Sequence, residues 1–192
     1  MKKLFTLIVF VLSLLTQNVS AQNATSAQKH LKFKNVSITG KLSTVTKQLQ
    51  AAGFTPIEAG RMKGIFANEK CELFISTTPK TKTVFQIAVV YDAAKSWNTL
   101  KSDYFRLKKQ LKEKYNVQPN SVEKFKDPYY EGDGYELTAT KVGKCAYISQ
   151  FVLEDGDIVL AISDKSVAIL YVDKVGETIH QKENNENALN DL

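Results

Sequence analysis

The segment from Ser96 to Tyr115 places the strongest limit on how this chain folds. Apolar residues in it recur every three or four positions, which is the spacing of one face of an α-helix. They are Trp97, Leu100, Tyr104, Leu107, Leu111 and Tyr115. Such a helix needs an apolar surface to cover, and the sequence on both sides is typical of β-strands. The pattern therefore predicts an α+β protein.

The first 21 residues have the features of a signal peptide. Lys2 and Lys3 precede an apolar stretch at 4–15, and small residues lead up to Ala21. We expect cleavage after Ala21 and export of residues 22–192 as a periplasmic or secreted, outer-surface protein. No cysteine lies near this site to carry a lipid, and no later apolar run is long enough to cross a bilayer.

The positive charge of the chain does not by itself indicate nucleic acid. Loss of Lys2 and Lys3 with the leader lowers the formal net charge from +6 to about +4. The remaining lysines are scattered among acidic residues and form no continuous basic stripe. We therefore expect no nucleic-acid partner.

Hydrophobic periodicity and turn residues divide the rest of the chain into short elements. A flexible lead-in at 22–30 comes first, and a polar tail at 176–192 comes last. A first helix is predicted at 42–52 and a polar connection at 116–125. The predicted strands are 31–38, 62–67, 71–77, 83–91, 135–140, 144–153, 158–163 and 167–172.

The two halves of the chain resemble each other weakly. Lys70-Cys71 matches Lys144-Cys145, and an apolar strand begins thirteen residues after each cysteine, at Val84 and at Ile158. We predict two tandem helix-plus-antiparallel-sheet (αβββ) repeats packed as one unit, 31–95 and 96–175, the second extended by one strand. A single irregular α+β domain is the alternative.

These residues also carry a resemblance to a known family. The matching positions are Phe33, Val36-Ser37-Ile38-Thr39-Gly40, Gly53-Phe54, Cys71, Trp97, Leu100, Tyr104-Phe105, Leu107-Lys108, Lys114-Tyr115, Glu123-Lys124-Phe125, Cys145, Tyr147, Tyr171 and Asp173-Lys174. The pattern resembles an uncharacterised family of small exported proteins from Gram-negative anaerobes. At the level of the fold it is similar to the tandem β-lactamase-inhibitor-protein and outer-membrane-assembly-lipoprotein folds. The resemblance implies a fold and a compartment, and it implies no catalytic residues.

Cys71 and Cys145 are the only cysteines. An even number of cysteines in an exported chain favours a disulfide, which would close a long loop and contribute roughly 3–4 kcal/mol. The alternative is two separate buried thiols, which their apolar neighbours favour.

The most distinctive polar segment is 127–136, which is rich in carboxylates, glycines and tyrosines. It departs from a calcium-binding loop, because Tyr129 stands where that loop needs an acidic or amide ligand and Thr138 stands where it needs a bidentate glutamate. His30 and His180 lie far apart in the sequence and suggest no metal site. We expect no metal and no cofactor. The candidate binding residues are Tyr129, Tyr130, Glu131, Asp133 and Tyr135.

The sequence thus predicts an exported, non-enzymatic binding protein for a protein or peptide of the cell envelope. The contact surface would be a sheet face or the tyrosine-rich segment. Two alternatives remain open at this stage. One is a hydrolase that uses carboxylates of 127–136, and the other is a purely structural envelope protein.

Overall fold

The computed structural model describes residues 29–190. The predicted signal peptide and most of the lead-in lie outside these residues. The described chain contains ten strands and four helices. In chain order they are β1 (Lys32–Phe33), β2 (Val36–Ser37), α1 (Leu42–Ala51), β3 (Thr55–Glu58), β4 (Arg61–Phe66), β5 (Glu69–Thr77), β6 (Val84–Tyr91), α2 (Trp97–Tyr115), β7 (Asn120–Phe125), α3 (Glu136–Lys141), β8 (Cys145–Val152), β9 (Gly156–Ser163), β10 (Ser166–Asp173) and α4 (Lys174–Asn190).

Eight of the strands form one antiparallel sheet, in the order β3-β4-β5-β6-β10-β9-β8-β7. The last strand of the first half, β6, pairs with the last strand of the second half, β10, through Val89 and Ile169. Strands β1 and β2 form a separate small hairpin. The predicted α+β class is confirmed, with one large antiparallel sheet and four helices among residues 29–190.

The main core lies between one face of the sheet and the elements that cover it. The central helix α2 begins after Ser96, whose hydroxyl accepts a hydrogen bond from the Thr99 N–H at 3.2 Å. It ends at Asn116, which adopts the left-handed conformation. Its core-facing stripe is buried, as its spacing predicts, and burial of five such side chains favours folding by roughly 8–15 kcal/mol before entropy costs. The buried members are Trp97, Leu100, Tyr104, Leu107 and Leu111.

Several local predictions are wrong. Residues 31–38 form the β1–β2 hairpin instead of one strand, because Lys34 and Asn35 adopt positive φ and reverse the chain. Strand β7 lies within the segment 116–125, which was expected to be a connection. Residues 135–140 fall mostly in helix α3, where Ala139 and Thr140 are buried, so packing overrides the strand preference of its threonines.

The predicted match between the two cysteine-bearing strands also fails. Cys71 lies in β5, the third strand after helix α1, whereas Cys145 begins β8, the second strand after helix α2. Counted outward from the central β6–β10 pair, β5 corresponds to β9 and β4 corresponds to β8. The two cysteines therefore lie in strands that do not hold corresponding positions in the two halves.

The opposite face of the sheet carries a second, smaller apolar cluster. Within residues 29–190 its members come from strands alone. Its five central residues are buried, whereas Val122 of β7 and Val152 of β8 are exposed. The cluster consists of Ala88, Val159, Ala168, Leu170 and Val172, with Phe74, Val90 and Ile148 packed against them.

Helix α4, which occupies the predicted polar tail, is fixed to the start of β6. Gly176 lies so close to Phe85 that a Cβ would come within 2.6 Å of the Phe85 Cβ. One turn later, the His180 ring stacks on the Phe85 ring at 4.2 Å. The buried Glu183 accepts hydrogen bonds from the backbone N–H groups of Lys80 and Thr81 in the β5–β6 loop. Close packing on Phe85 and the hydrogen bonds of Glu183 thus position this helix where sequence periodicity gives little signal.

Candidate functional site

The segment between β7 and α3 forms an ordered loop, and Asp133 holds it together. One Asp133 carboxylate oxygen accepts a hydrogen bond from the Tyr130 N–H at 3.1 Å, and the other accepts one from the Tyr135 N–H at 2.7 Å. The Glu136 carboxylate accepts a third hydrogen bond, from the Gly132 N–H at 2.8 Å. Carboxylates that accept backbone N–H bonds in this way fix local turns.

Glu131 ties the same loop to the body of the protein. Its carboxylate pairs with the Lys101 ammonium on helix α2 and accepts a hydrogen bond from the Tyr147 hydroxyl at 3.2 Å. The hydrogen bond from Lys101 holds the pKa of Glu131 below its ordinary value, although partial burial opposes this. Burial and the nearby Glu131 raise the pKa of Tyr147 to about 12. Glu131 is therefore charged at neutral pH, while Tyr147 keeps its proton.

The tyrosines predicted for binding differ in their exposure. Tyr130 and Tyr135 are each 64% exposed. Tyr129 is half-buried, and its N–H donates a hydrogen bond to the Lys126 carbonyl. The loop therefore presents two tyrosine rings to solvent, while Glu131 and Asp133 position its backbone. We call Tyr130 and Tyr135, with the loop 127–135 that carries them, the tyrosine loop.

A cluster of aromatic rings supports the base of the tyrosine loop. The Tyr147 ring makes edge contacts with Trp97 at 5.1 Å and with Tyr104 at 5.7 Å between centroids. Phe125, the last residue of β7, packs on Trp97 at 5.0 Å. The sequence predicts Trp97 and Tyr104 as core residues, and the structure confirms that both are buried. Because Tyr147 reaches Glu131, the loop rests on packed core side chains.

A network of hydrogen-bonded hydroxyl groups lies beside this cluster. The Tyr104 hydroxyl lies 2.6 Å from the Ser149 hydroxyl, which lies 2.8 Å from that of Ser121. Burial raises the pKa of Tyr104 well above its ordinary value, so it keeps its proton at neutral pH and cannot act as a base. Glu123 is the nearest carboxylate, and it pairs with Lys108 at 2.6 Å. The network joins α2 to β7 and β8.

Both cysteines are free thiols in the structure, so the structure does not contain the predicted disulfide. Four strand-to-strand steps separate β5, which contains Cys71, from β8, which begins at Cys145. At about 4.8 Å a step, this places their Cα atoms on the order of 19 Å apart, whereas a disulfide needs less than about 7 Å. Burial raises the pKa of Cys71 to about 11 and that of Cys145 to about 12. The structure supports the alternative of two separate thiols, although only Cys71 is fully buried and Cys145 is partly buried.

His30 has a partner that the sequence does not reveal. Its Nδ1 lies 3.1 Å from both carboxylate oxygens of Asp173, whose side chain is fully buried. Asp173 also accepts hydrogen bonds from the N–H groups of Leu31 and Gly176 at 2.9 and 2.8 Å. The aspartate therefore joins the lead-in, the end of β10 and the start of α4. The 143-residue separation of His30 and Asp173 explains why sequence spacing missed the pair.

Among residues 29–190, no group of three His, Cys, Asp or Glu side chains is placed to hold a metal ion. Within the same part of the chain, no helix is both long enough and apolar enough to cross a membrane.

Comparison with known proteins adds no identification. A scan against protein-family models, a search of curated proteins and a search of solved structures each find no match. The resemblance to a family of exported proteins therefore stays a prediction.

Proposed function

We propose that this chain is an exported, non-enzymatic binding protein that recognises a protein or peptide of the cell envelope through the tyrosine loop. The observation that carries the proposal is the exposure of Tyr130 and Tyr135 on a loop whose backbone is held by Asp133 and Glu131. Tyrosine buries a large area on binding and loses little conformational entropy.

The rigid base of the loop supports the same proposal. Ordering a mobile loop on binding costs free energy, and a loop that is already ordered avoids that cost. The Lys101–Glu131 pair and the Tyr147 hydroxyl attach this loop to helix α2 and strand β8 before any partner arrives. Two exposed rings on such a base suit a partner surface with a shallow apolar pocket.

The carboxylates of the segment favour binding over hydrolysis. Asp133, the residue most suited to a hydrolase, uses both of its oxygens to hold the loop. Glu131 is held in its charged form by Lys101. A glycosidase-type pair needs two carboxyl groups that face each other across a substrate, whereas Asp133 faces the backbone of its own loop and Glu131 faces Lys101.

The proposal includes a tandem origin for the fold. The first half has helix α1 and then four strands, and the second has helix α2 and four strands with the short helix α3 between β7 and β8. The two halves meet at β6 and β10, as tandem αβββ repeats extended by a strand would do, and the second half carries the tyrosine loop.

The test is crosslinked capture from envelope extract with the exported chain, residues 22–192. Four proteins are compared: the natural chain, Tyr130→Ala, Tyr135→Ala and Leu189→Ala. Leu189 is 70% exposed on helix α4, so its variant controls for the loss of any exposed apolar side chain. Mass spectrometry identifies enriched partners and crosslinked lysines.

The proposal expects one envelope partner whose recovery falls at least tenfold with either tyrosine variant and is unchanged with Leu189→Ala. Circular dichroism should show the same thermal midpoint for all four proteins, because the removed rings are exposed. Equal recovery by the tyrosine variants would refute the role of the loop.

A further inference from the structure

The two edges of the large sheet differ in how well they are protected against pairing. At one edge, β3 has four residues, includes Pro56, and changes register between Pro56 and Glu58. Proline and a bulge both prevent a further strand from adding. At the other edge, β7 has six residues, no proline or glycine, and an unbroken register with β8 from Asn120 to Phe125. Only the β7 edge therefore presents a regular strand with which a further strand could pair.

The register identifies which backbone groups of β7 face outward. The Lys126 N–H donates to the Lys144 carbonyl at 2.8 Å, in line with the β7–β8 pairing. In an antiparallel ladder, alternate residues point their N–H and C=O to the same neighbour. The even-numbered residues therefore bond to β8, and the odd-numbered residues point away from it. The outward groups belong to Ser121, Glu123 and Phe125, and no partner for them is found within residues 29–190.

The side chains along this edge define the chemistry of an added strand. Val122, Lys124 and Lys126 alternate along the chain and therefore lie on one face of the sheet. Val122 is 47% exposed, and both lysines are exposed without an ion-pair partner in the described part of the chain. A matching strand would place an apolar side chain opposite Val122 and acidic side chains opposite the two lysines.

We infer that the free edge of β7 binds an extended, acidic peptide segment of a partner protein by strand addition. When the segment pairs antiparallel to β7, its sequence from the N-terminus is an acidic residue, any residue, a second acidic residue, any residue and an apolar residue. These three defined positions face Lys126, Lys124 and Val122 in turn. Self-pairing of two copies is less suited to the edge. If two copies of β7 paired antiparallel about a two-fold axis at Glu123 or at Lys124, like charges would lie opposite each other. If the axis lay at Val122, the lysines would have no acidic partner. This binding mode goes beyond the proposed function and does not depend on the exposed tyrosines.

The test uses the synthetic peptide acetyl-TETETVT-amide and the exported chain, residues 22–192, in a titration followed by fluorescence anisotropy of a labelled peptide. The control peptide replaces both glutamates with lysines. The matched variants are Glu123→Pro and Glu123→Ala. Both lose the same carboxylate, and only the proline loses the outward N–H. The double variant Lys124→Glu, Lys126→Glu tests the charge.

The inference expects saturable binding of the acidic peptide that weakens as salt is raised, and binding of the lysine peptide at least tenfold weaker. Glu123→Pro should lose at least tenfold in affinity relative to Glu123→Ala, and the charge-reversed variant should prefer the lysine peptide. Should Glu123→Pro fail to fold, the charge-reversed variant decides the question alone.

Three outcomes would overturn the inference: equal binding of both peptides, no binding of either, or a stable dimer by sedimentation that occupies the edge. Tyr130→Ala should bind the peptide as the natural chain does. Failure of the edge inference is therefore distinguishable from failure of the tyrosine loop in envelope capture.

Discussion

Replacing Asp173 with asparagine should destabilise the fold strongly, although it removes only one charge. The side chain is fully buried, and its two oxygens accept the N–H groups of Leu31 and Gly176 as well as contacting His30. An asparagine has one acceptor oxygen and one donor group, so it can satisfy only one of the two backbone N–H groups.

The magnitude follows from these contacts. A buried N–H left without an acceptor costs about 1–3 kcal/mol, and weakening the remaining bond from a charged to a neutral acceptor costs about 1 kcal/mol more. The free energy of unfolding should fall by about 2–4 kcal/mol. With a slope of about 2 kcal/mol per molar urea, the midpoint falls by about 1–2 M.

The assay is urea unfolding of residues 22–192, followed by circular dichroism, with His30→Ala as the matched control. Because His30 is half-buried, its variant should cost less than Asp173→Asn. A change below about 0.5 kcal/mol for Asp173→Asn, which is typical of ordinary surface substitutions, would refute the reasoning.

Three further predictions concern packing, thiol chemistry and pH. Gly64→Ala should cost about 1–3 kcal/mol in the same assay, because its Cβ would lie 2.4 Å from the Phe54 ring, and an unchanged midpoint would contradict this packing. Both thiols should react slowly with iodoacetamide at pH 8, since a pKa of about 11 leaves only about one Cys71 in a thousand as thiolate, and the protein's mass should not change on reduction. The pKa of Glu131 is lower in the folded chain than its ordinary value. The charged carboxylate therefore stabilises the fold at pH values above the ordinary glutamate pKa, and this stabilisation is lost as the pH falls through the pKa that Glu131 has in the folded chain. Fluorescence of Trp97, the only tryptophan, should therefore change across that acidic range, and Glu131→Gln should abolish the change.

The sequence predicts the parts of the fold that depend on periodic apolar patterns. Helix α2 and strands such as β6 and β10 follow from such patterns, because burial of one face or both faces leaves a regular signal. Strand β7 is exposed along most of its length, and helix α4 is held by Gly176, His180 and Glu183, so neither leaves such a signal.

The candidate site is predictable only in part for a related reason. Tyrosines and turn residues mark 127–136 as a distinctive loop, and two of its rings are exposed. The sequence does not show that Lys101 anchors Glu131 from thirty residues away, or that Asp133 serves the backbone of the loop. These contacts join residues that the folded chain brings together, and neither composition nor residue spacing indicates them.

The most direct test of the proposed function is site-specific photocrosslinking in envelope extract. A photoreactive phenylalanine replaces Tyr130 in one protein and Lys109, which is highly exposed on helix α2, in another. The proposal predicts that one partner crosslinks from position 130 and not from position 109. Labelling of the same proteins from both positions, or of none from position 130, would contradict it.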